Sequence, residues 1–117
     1  MTQRADIVLA RFPFTDQTGD KLRPVLVLAQ VPGALDDFVV MFISSQRHQA
    51  VPGIDLVLEQ AAPLFPATGL KVSSVFRIGK VATISSALVV GTLGQLDSTM
   101  FDDVIVRLVS LLRGTSD

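Results

Sequence analysis

Up to residue 96 the apolar residues of this chain come in short, β-rich runs, each closed by proline, glycine or a polar pair, so a helix of useful length has no room there. Asp6-Ile-Val-Leu-Ala-Arg-Phe stops at Pro13, and the polar cluster from Asp16 to Lys21 supplies turn residues. Pro24 then opens Val25-Leu-Val-Leu-Ala-Gln, a continuous apolar run that reads as a strand buried on both faces. Proline fits there because the first position of a strand need not donate to the ladder. After a turn at Pro32-Gly33, Phe38-Val-Val-Met-Phe-Ile reads as a second buried strand, ending at Ser44-Ser45. Gln46 to Gly53 reads as a loop, and Ile54-Asp-Leu-Val-Leu as a fourth strand. Pro63, Pro66 and Gly69 bar a helix between Ala61 and Leu70. Val75-Phe-Arg-Ile and Val81-Ala-Thr-Ile are expected to pair as a hairpin about Gly79-Lys80. A single helical turn over Ser85–Leu88 and a short strand from Val89 to Leu93 complete the β-rich part.

At the C-terminus the period changes. Met100, Phe101, Val104, Ile105, Leu108, Leu111 and Leu112 recur at three- and four-residue spacing, which defines one apolar helical face. Asp97-Ser98-Thr99 offers N-cap side chains, and Gly114 stands where a left-handed cap residue belongs. Short strands followed by one packed helix predict a mainly β fold, a small, strongly curved barrel with a helical lid, built as a single domain over residues 1–117.

Composition narrows the chemistry. Cysteine is absent, which removes disulfides, thiolate metal sites and cysteine nucleophiles, and the one histidine, His48, argues against a histidine metal cluster or a Ser–His–Asp triad. Ten Lys and Arg against eleven Asp and Glu leave a net charge of −1, so any polyanion site must be a local cluster of bases. Apolar residues make up 49% of the chain and charged residues 18%, against about 25% charged in an ordinary domain. The longest uncharged stretch, Val81 to Leu96, is broken by polar residues and falls short of the roughly 20 apolar residues that span a bilayer. The apolar excess therefore predicts a cytoplasmic protein that buries surface against another chain.

Three places carry candidate chemistry. Arg23 closes a polar loop and opens a buried strand; it either grips a phosphate or pairs with Asp16 or Asp20 as a plain strand-end arginine. Ser44-Ser45-Gln46 either hydrogen-bonds a ligand or satisfies the backbone as the chain leaves the sheet. Arg77, Lys80 and the nearby Lys71 either touch a backbone phosphate or simply solubilise a hairpin. His48 is a general base or a solvated loop residue, and Phe12, Phe14 and Phe65 stack on bases or fill the core.

Taken together, Asp6-Ile-Val-Leu-Ala-Arg-Phe-Pro-Phe-Thr-Asp, Lys21-Leu-Arg-Pro-Val-Leu-Val-Leu, Phe42-Ile-Ser-Ser-Gln and Ser73-Ser-Val-Phe-Arg-Ile-Gly-Lys-Val-Ala-Thr-Ile resemble the PemK/MazF family, the toxins of type II toxin–antitoxin systems. The resemblance runs from about Asp6 through the C-terminal helix. It implies an SH3-like β-barrel with a C-terminal helix, a homodimer, and a cognate antitoxin as partner. It also implies a metal-independent endoribonuclease, needing no cofactor, that cuts single-stranded RNA and leaves a 2′,3′-cyclic phosphate. Carried over by position, Arg23 would stabilise the phosphorane, Ser44 would bond the scissile phosphate, and Arg77 matches an arginine that some members use as general acid. Thr18, Lys21, Ser45, Gln46 and Lys80 would contact the RNA. Two departures stand out. Gly79 occupies the place of an acidic residue assigned as general base in some members, and Ala5 replaces the glycine that usually opens the first strand. The loss at Gly79 leaves a second reading open, a non-enzymatic binder on the same barrel: a degenerate toxin kept for antitoxin binding, or a gyrase-poison-like toxin.

Overall fold

The computed structural model describes residues 2–11 and 21–115. Six strands, β1 (Asp6–Arg11), β2 (Leu22–Val31), β3 (Asp37–Ser44), β4 (Leu56–Leu58), β5 (Ser74–Ser85) and β6 (Val89–Gln95), precede one helix, α1 (Ser98–Arg113). They form one sheet in the order β4-β5-β3-β2-β1-β6, antiparallel at every pairing. The mainly β architecture with a C-terminal helix is thus as expected. Among the described residues the sheet is not closed by hydrogen bonds, though its order is compatible with a barrel-like fold. Register shifts in the β1–β6, β2–β3 and β3–β5 ladders bend it.

The continuous apolar runs are buried on both faces because each face has its own core. Leu26, Leu28, Met41, Ile43, Phe76 and Ile78 pack on one side with Phe101 and Val104 of α1. Val8, Val25, Val27, Phe38, Val40 and Ile84 pack on the other. Asp97 caps α1 by accepting from the backbone N–H groups of Thr99 and Met100, and Gly114 ends it at φ 75°. The helical face is shorter than its spacing suggests: Met100, Ile105 and Leu108 pack on the core, whereas Leu111 is 40% and Leu112 75% exposed. Sequence spacing sets the angular face but not where the sheet beneath it ends.

Three expectations need correction. Val75–Ile78 and Val81–Ile84 are not the two arms of a hairpin but one continuous strand, β5. Both halves pair with β3, Phe76 opposite Ile43 and Val81 opposite Met41, so Arg77 to Lys80 bulge against Phe42 alone. Gly79 has no positive φ and makes no turn; pairing with a long buried neighbour outcompetes folding back. β4 begins at Leu56, not Ile54, because Asp55 is turned inward instead of pairing in the ladder. The stretch between Ala61 and Leu70 does hold a single 3₁₀ turn, Pro66–Thr68, with proline at its start where a missing N–H costs nothing. The predicted turn at Asp16–Lys21 lies largely outside the described residues, as do Phe12, Phe14 and Thr18.

That 3₁₀ turn is pressed against β6. A Cβ on Gly94 would stand 2.2 Å from the carbonyl oxygen of Ala67, and one on Gly69 would stand 2.1 Å from that of Leu93. Backbone meets backbone here, so no side chain can yield. Gly94→Ala is expected to destabilise the fold by about 1–3 kcal/mol, the usual overpacking cost, which a urea melt measures. Ala5 shows the opposite opportunity. Its φ is 73°, and it is locked there because its N–H donates to Val27 and its carbonyl accepts from Leu96, both at 2.9 Å. The left-handed region costs an L-residue about 1–2 kcal/mol, more than the roughly 0.5–1 kcal/mol of extra chain entropy a glycine loses. Ala5→Gly should therefore raise Tm by a few degrees, read by thermal melting.

Candidate active site

Arg23 stands near the start of β2, paired in register with Ala10 of β1 and followed by Pro24 opposite Leu9. The β1 ladder holds this backbone and the β3 ladder joins it from Val25 onward, so the guanidinium projects from the end of a paired strand. Ser44 is the last residue of β3, and Arg77 and Lys80 lie in the β5 bulge opposite Phe42. These four residues, with Gln49 from a 3₁₀ turn at Arg47–Gln49, line one cleft of about 540 Å³. A second cleft of about 550 Å³ shares Arg23, Pro24, Ile43 and Ser44 with the first and adds Lys21, Ser45, Gln46 and Lys71. Leu22, Leu70, Val72 and Leu93 contribute apolar lining to it. Arg23 and Ser44 thus stand on the divide between two adjoining clefts, and Lys21, Ser45, Gln46 and Lys80 are distributed around it. Thr18 is outside the described residues. Phe65 is a core residue, 6% exposed, and cannot stack on a base; His48 is exposed.

The hydrogen bonds explain how the site is held. Ser44 Oγ donates to Gln49 Oε1 at 3.1 Å and accepts from the Gln46 backbone N–H at 3.0 Å. Arg77 donates from a terminal nitrogen to the same Gln49 oxygen at 3.1 Å, and from Nε to Asp55 at 3.1 Å. A guanidinium has only donors, so the Gln49 oxygen, not its amide nitrogen, must face it. Arg23 differs. Its Nε is buried and has no hydrogen-bond acceptor among the described residues, while Asp16 and Asp20, its alternative partners, lie outside them. An unpaired buried donor costs about 1–3 kcal/mol, which an anionic ligand would offset. Among the described lining residues neither cleft carries a carboxylate or the imidazole. The clefts present cations, hydroxyls and amides, the donor set for a phosphodiester.

Two further residues, Gln49 and Asp55, complete the site. Gln49 is one of several amides in a polar loop, and nothing in its spacing marks it out. Asp55 carried a weak signal: one carboxylate inside the otherwise apolar run Ile54-Asp-Leu-Val-Leu. A charge in such a run is either on the solvent face or paired, and here its side chain is only 3% exposed and paired with Arg77.

No helix among the described residues is long and apolar enough to cross a membrane. No curated protein sequence matches the chain significantly. The fold is similar to that of the Mycobacterium tuberculosis toxin MazF-mt6, with a TM-score of 0.67 over 94% of this chain and 97% of that one, at 17% identity. The model of the PemK-like, MazF-like toxins matches residues 3–112, nearly the whole chain, and so this chain belongs to that family of toxins of type II toxin–antitoxin systems.

Proposed function

We propose that this toxin is a metal-independent endoribonuclease that cuts single-stranded RNA through a 2′,3′-cyclic phosphate, acting as a cytoplasmic homodimer. The observation that carries the reading is Arg23, whose buried Nε has no acceptor among the described residues, on the divide between two clefts, beside Ser44. In this chemistry the RNA's own 2′-hydroxyl gives up its proton to solvent as its oxygen attacks phosphorus. The bond to the 5′-oxygen breaks and that oxygen takes up a proton to leave as a 5′-hydroxyl, and negative charge grows meanwhile on the non-bridging oxygens. Arg23 donates to those oxygens, and Ser44 bonds the same phosphate. Arg77, held at two of its nitrogens, supplies fixed positive charge. Lys21, Ser45, Gln46 and Lys80 hold the strand on either side. No general base is assigned, because Gly79 offers none.

That gap favours one other reading, a binder that holds the antitoxin without cutting RNA. Incubation of the purified protein with a long RNA, with and without EDTA, separates the two. Cleavage that survives EDTA and yields cyclic-phosphate ends supports the ribonuclease; intact RNA at micromolar protein supports the binder. The dimer has its own support. Val106 (62% exposed), Val109 and Leu112 lie on the outer side of α1, where a monomer would leave them in water. Light scattering at micromolar concentration should give twice the chain mass; a monomer mass would rule the dimer out.

A further inference from the structure

Asp55 sits behind the cleft, at the centre of a network that reaches from α1 to Ser44. Its side chain is 3% exposed, and its two carboxylate oxygens already take three donors. Oδ1 accepts from the backbone N–H of Ile78 at 2.9 Å, and Oδ2 accepts from the N–H of Val51 at 3.0 Å and from Arg77 Nε at 3.1 Å. It does not line either cleft. A carboxylate so placed acts on a ligand only through the groups it holds.

The backbone of Asp55 is held as firmly as its side chain. Ile54 and Asp55 precede β4, so their carbonyls have no partner strand. Both accept from one terminal nitrogen of Arg107 on α1, at 3.1 and 2.8 Å. Arg107 is itself paired through Nε with Asp103 one turn earlier, at 3.0 Å. The helix therefore fixes where Asp55 stands, and Asp55 fixes Arg77.

We infer that Asp55 is the positioning residue of the cleft, holding the Arg77 guanidinium in one orientation, and that Arg107 extends this control to the C-terminal helix. With Nε taken by Asp55 and one terminal nitrogen bonded to Gln49, the remaining guanidinium hydrogens are presented in a fixed plane. An arginine on an exposed strand without such a clamp samples many rotamers, and its donors must be ordered as charge develops in the transition state. The clamp removes that ordering step before binding, the preorganisation that electrostatic catalysis requires. The catalytic consequence rests on the ribonuclease reading; the clamp itself does not.

The test uses two readouts, one independent of cleavage. In ¹⁵N NMR spectra the Arg77 Nε–H, assigned by its loss in Arg77→Lys, should exchange slowly with solvent in the wild-type protein. Asp55→Asn keeps the shape, removes the charge and sets an amide against donors. It should speed that exchange at least tenfold. In single-turnover assays it should lower the maximal cleavage rate by on the order of 100-fold, the effect of misplacing a group by about 1 Å, with RNA affinity changed less than threefold. Arg107→Gln, at a half-buried helix position, should move both readouts in the same direction, and it carries the test if Asp55→Asn does not fold. Unchanged Nε–H exchange in a folded variant overturns the clamp. Faster exchange with an unchanged cleavage rate overturns the positioning role. If the wild-type protein cuts no RNA, the ribonuclease reading falls while the exchange measurement still decides the clamp.

Discussion

Arg23→Ala should leave the fold intact and lower RNA cleavage by about 100–1000-fold, the usual loss when one donor aimed at developing charge is removed. The two halves of this expectation come from the same observation. Arg23 Nε has no acceptor among the described residues, so truncating the side chain takes no bond from that atom to them. It also removes an unsatisfied buried donor, and Tm should hold or rise slightly. Arg23→Lys should not rescue the rate, because an ammonium cannot reproduce the Nε–H or the planar fork. Ser44→Ala should cost less in rate than Arg23→Ala and more in stability, since Ser44 Oγ bonds both Gln46 N–H and Gln49. Ser44→Thr, which keeps the hydroxyl, should be tolerated. Undiminished cutting by the Arg23→Ala protein would remove Arg23 from the mechanism.

What could be read from the sequence was local. Asp97 and Gly114 mark the helix because caps are chosen by chemistry within one turn. The Val25–Leu28 run reads as buried on both faces because no polar residue interrupts it, and the structure gives each face its own core. Ala5 was visible as a departure from the family's glycine, and φ 73° supplies the reason a glycine suits that position. The failures are non-local. A glycine and a lysine between two β-branched runs read as a turn, until β3 offers both runs a partner. The Asp55–Arg77 pair spans 22 residues and Arg77–Gln49 spans 28, so no window along the chain contains either. Arg23, Ser44 and Arg77 could be named from motifs. The residues that hold two of them in place could not, because their roles exist only once three strands and a helix have met.

The buried pair also changes how the antitoxin contact can be tested. Arg77→Glu, the obvious charge reversal, is expected to disable folding before it reports on binding. Asp55 would lose its counter-ion while only 3% exposed and would face a second carboxylate in its place. Breaking a buried pair typically costs about 3–5 kcal/mol, out of a total of roughly 5–15 kcal/mol, and like-charge repulsion adds to that. A urea melt of Arg77→Glu should show this loss; a stability within about 1 kcal/mol of wild type would mean that the pair is not buried in solution. The reversal belongs instead at Lys80, which is exposed, lines the first cleft and is outside the clamp. An antitoxin tail of acidic and apolar residues that folds into the clefts would set carboxylates where phosphates sit, and apolar side chains against Leu22, Leu70, Val72 and Leu93. Lys80→Glu should then weaken RNA binding and antitoxin binding together, with thermal stability unchanged. Added salt should weaken the charged part of the antitoxin contact and spare the apolar part. If Lys80→Glu loses RNA but keeps full antitoxin affinity, the two ligands do not share the cleft, and inhibition must work from another face of the protein.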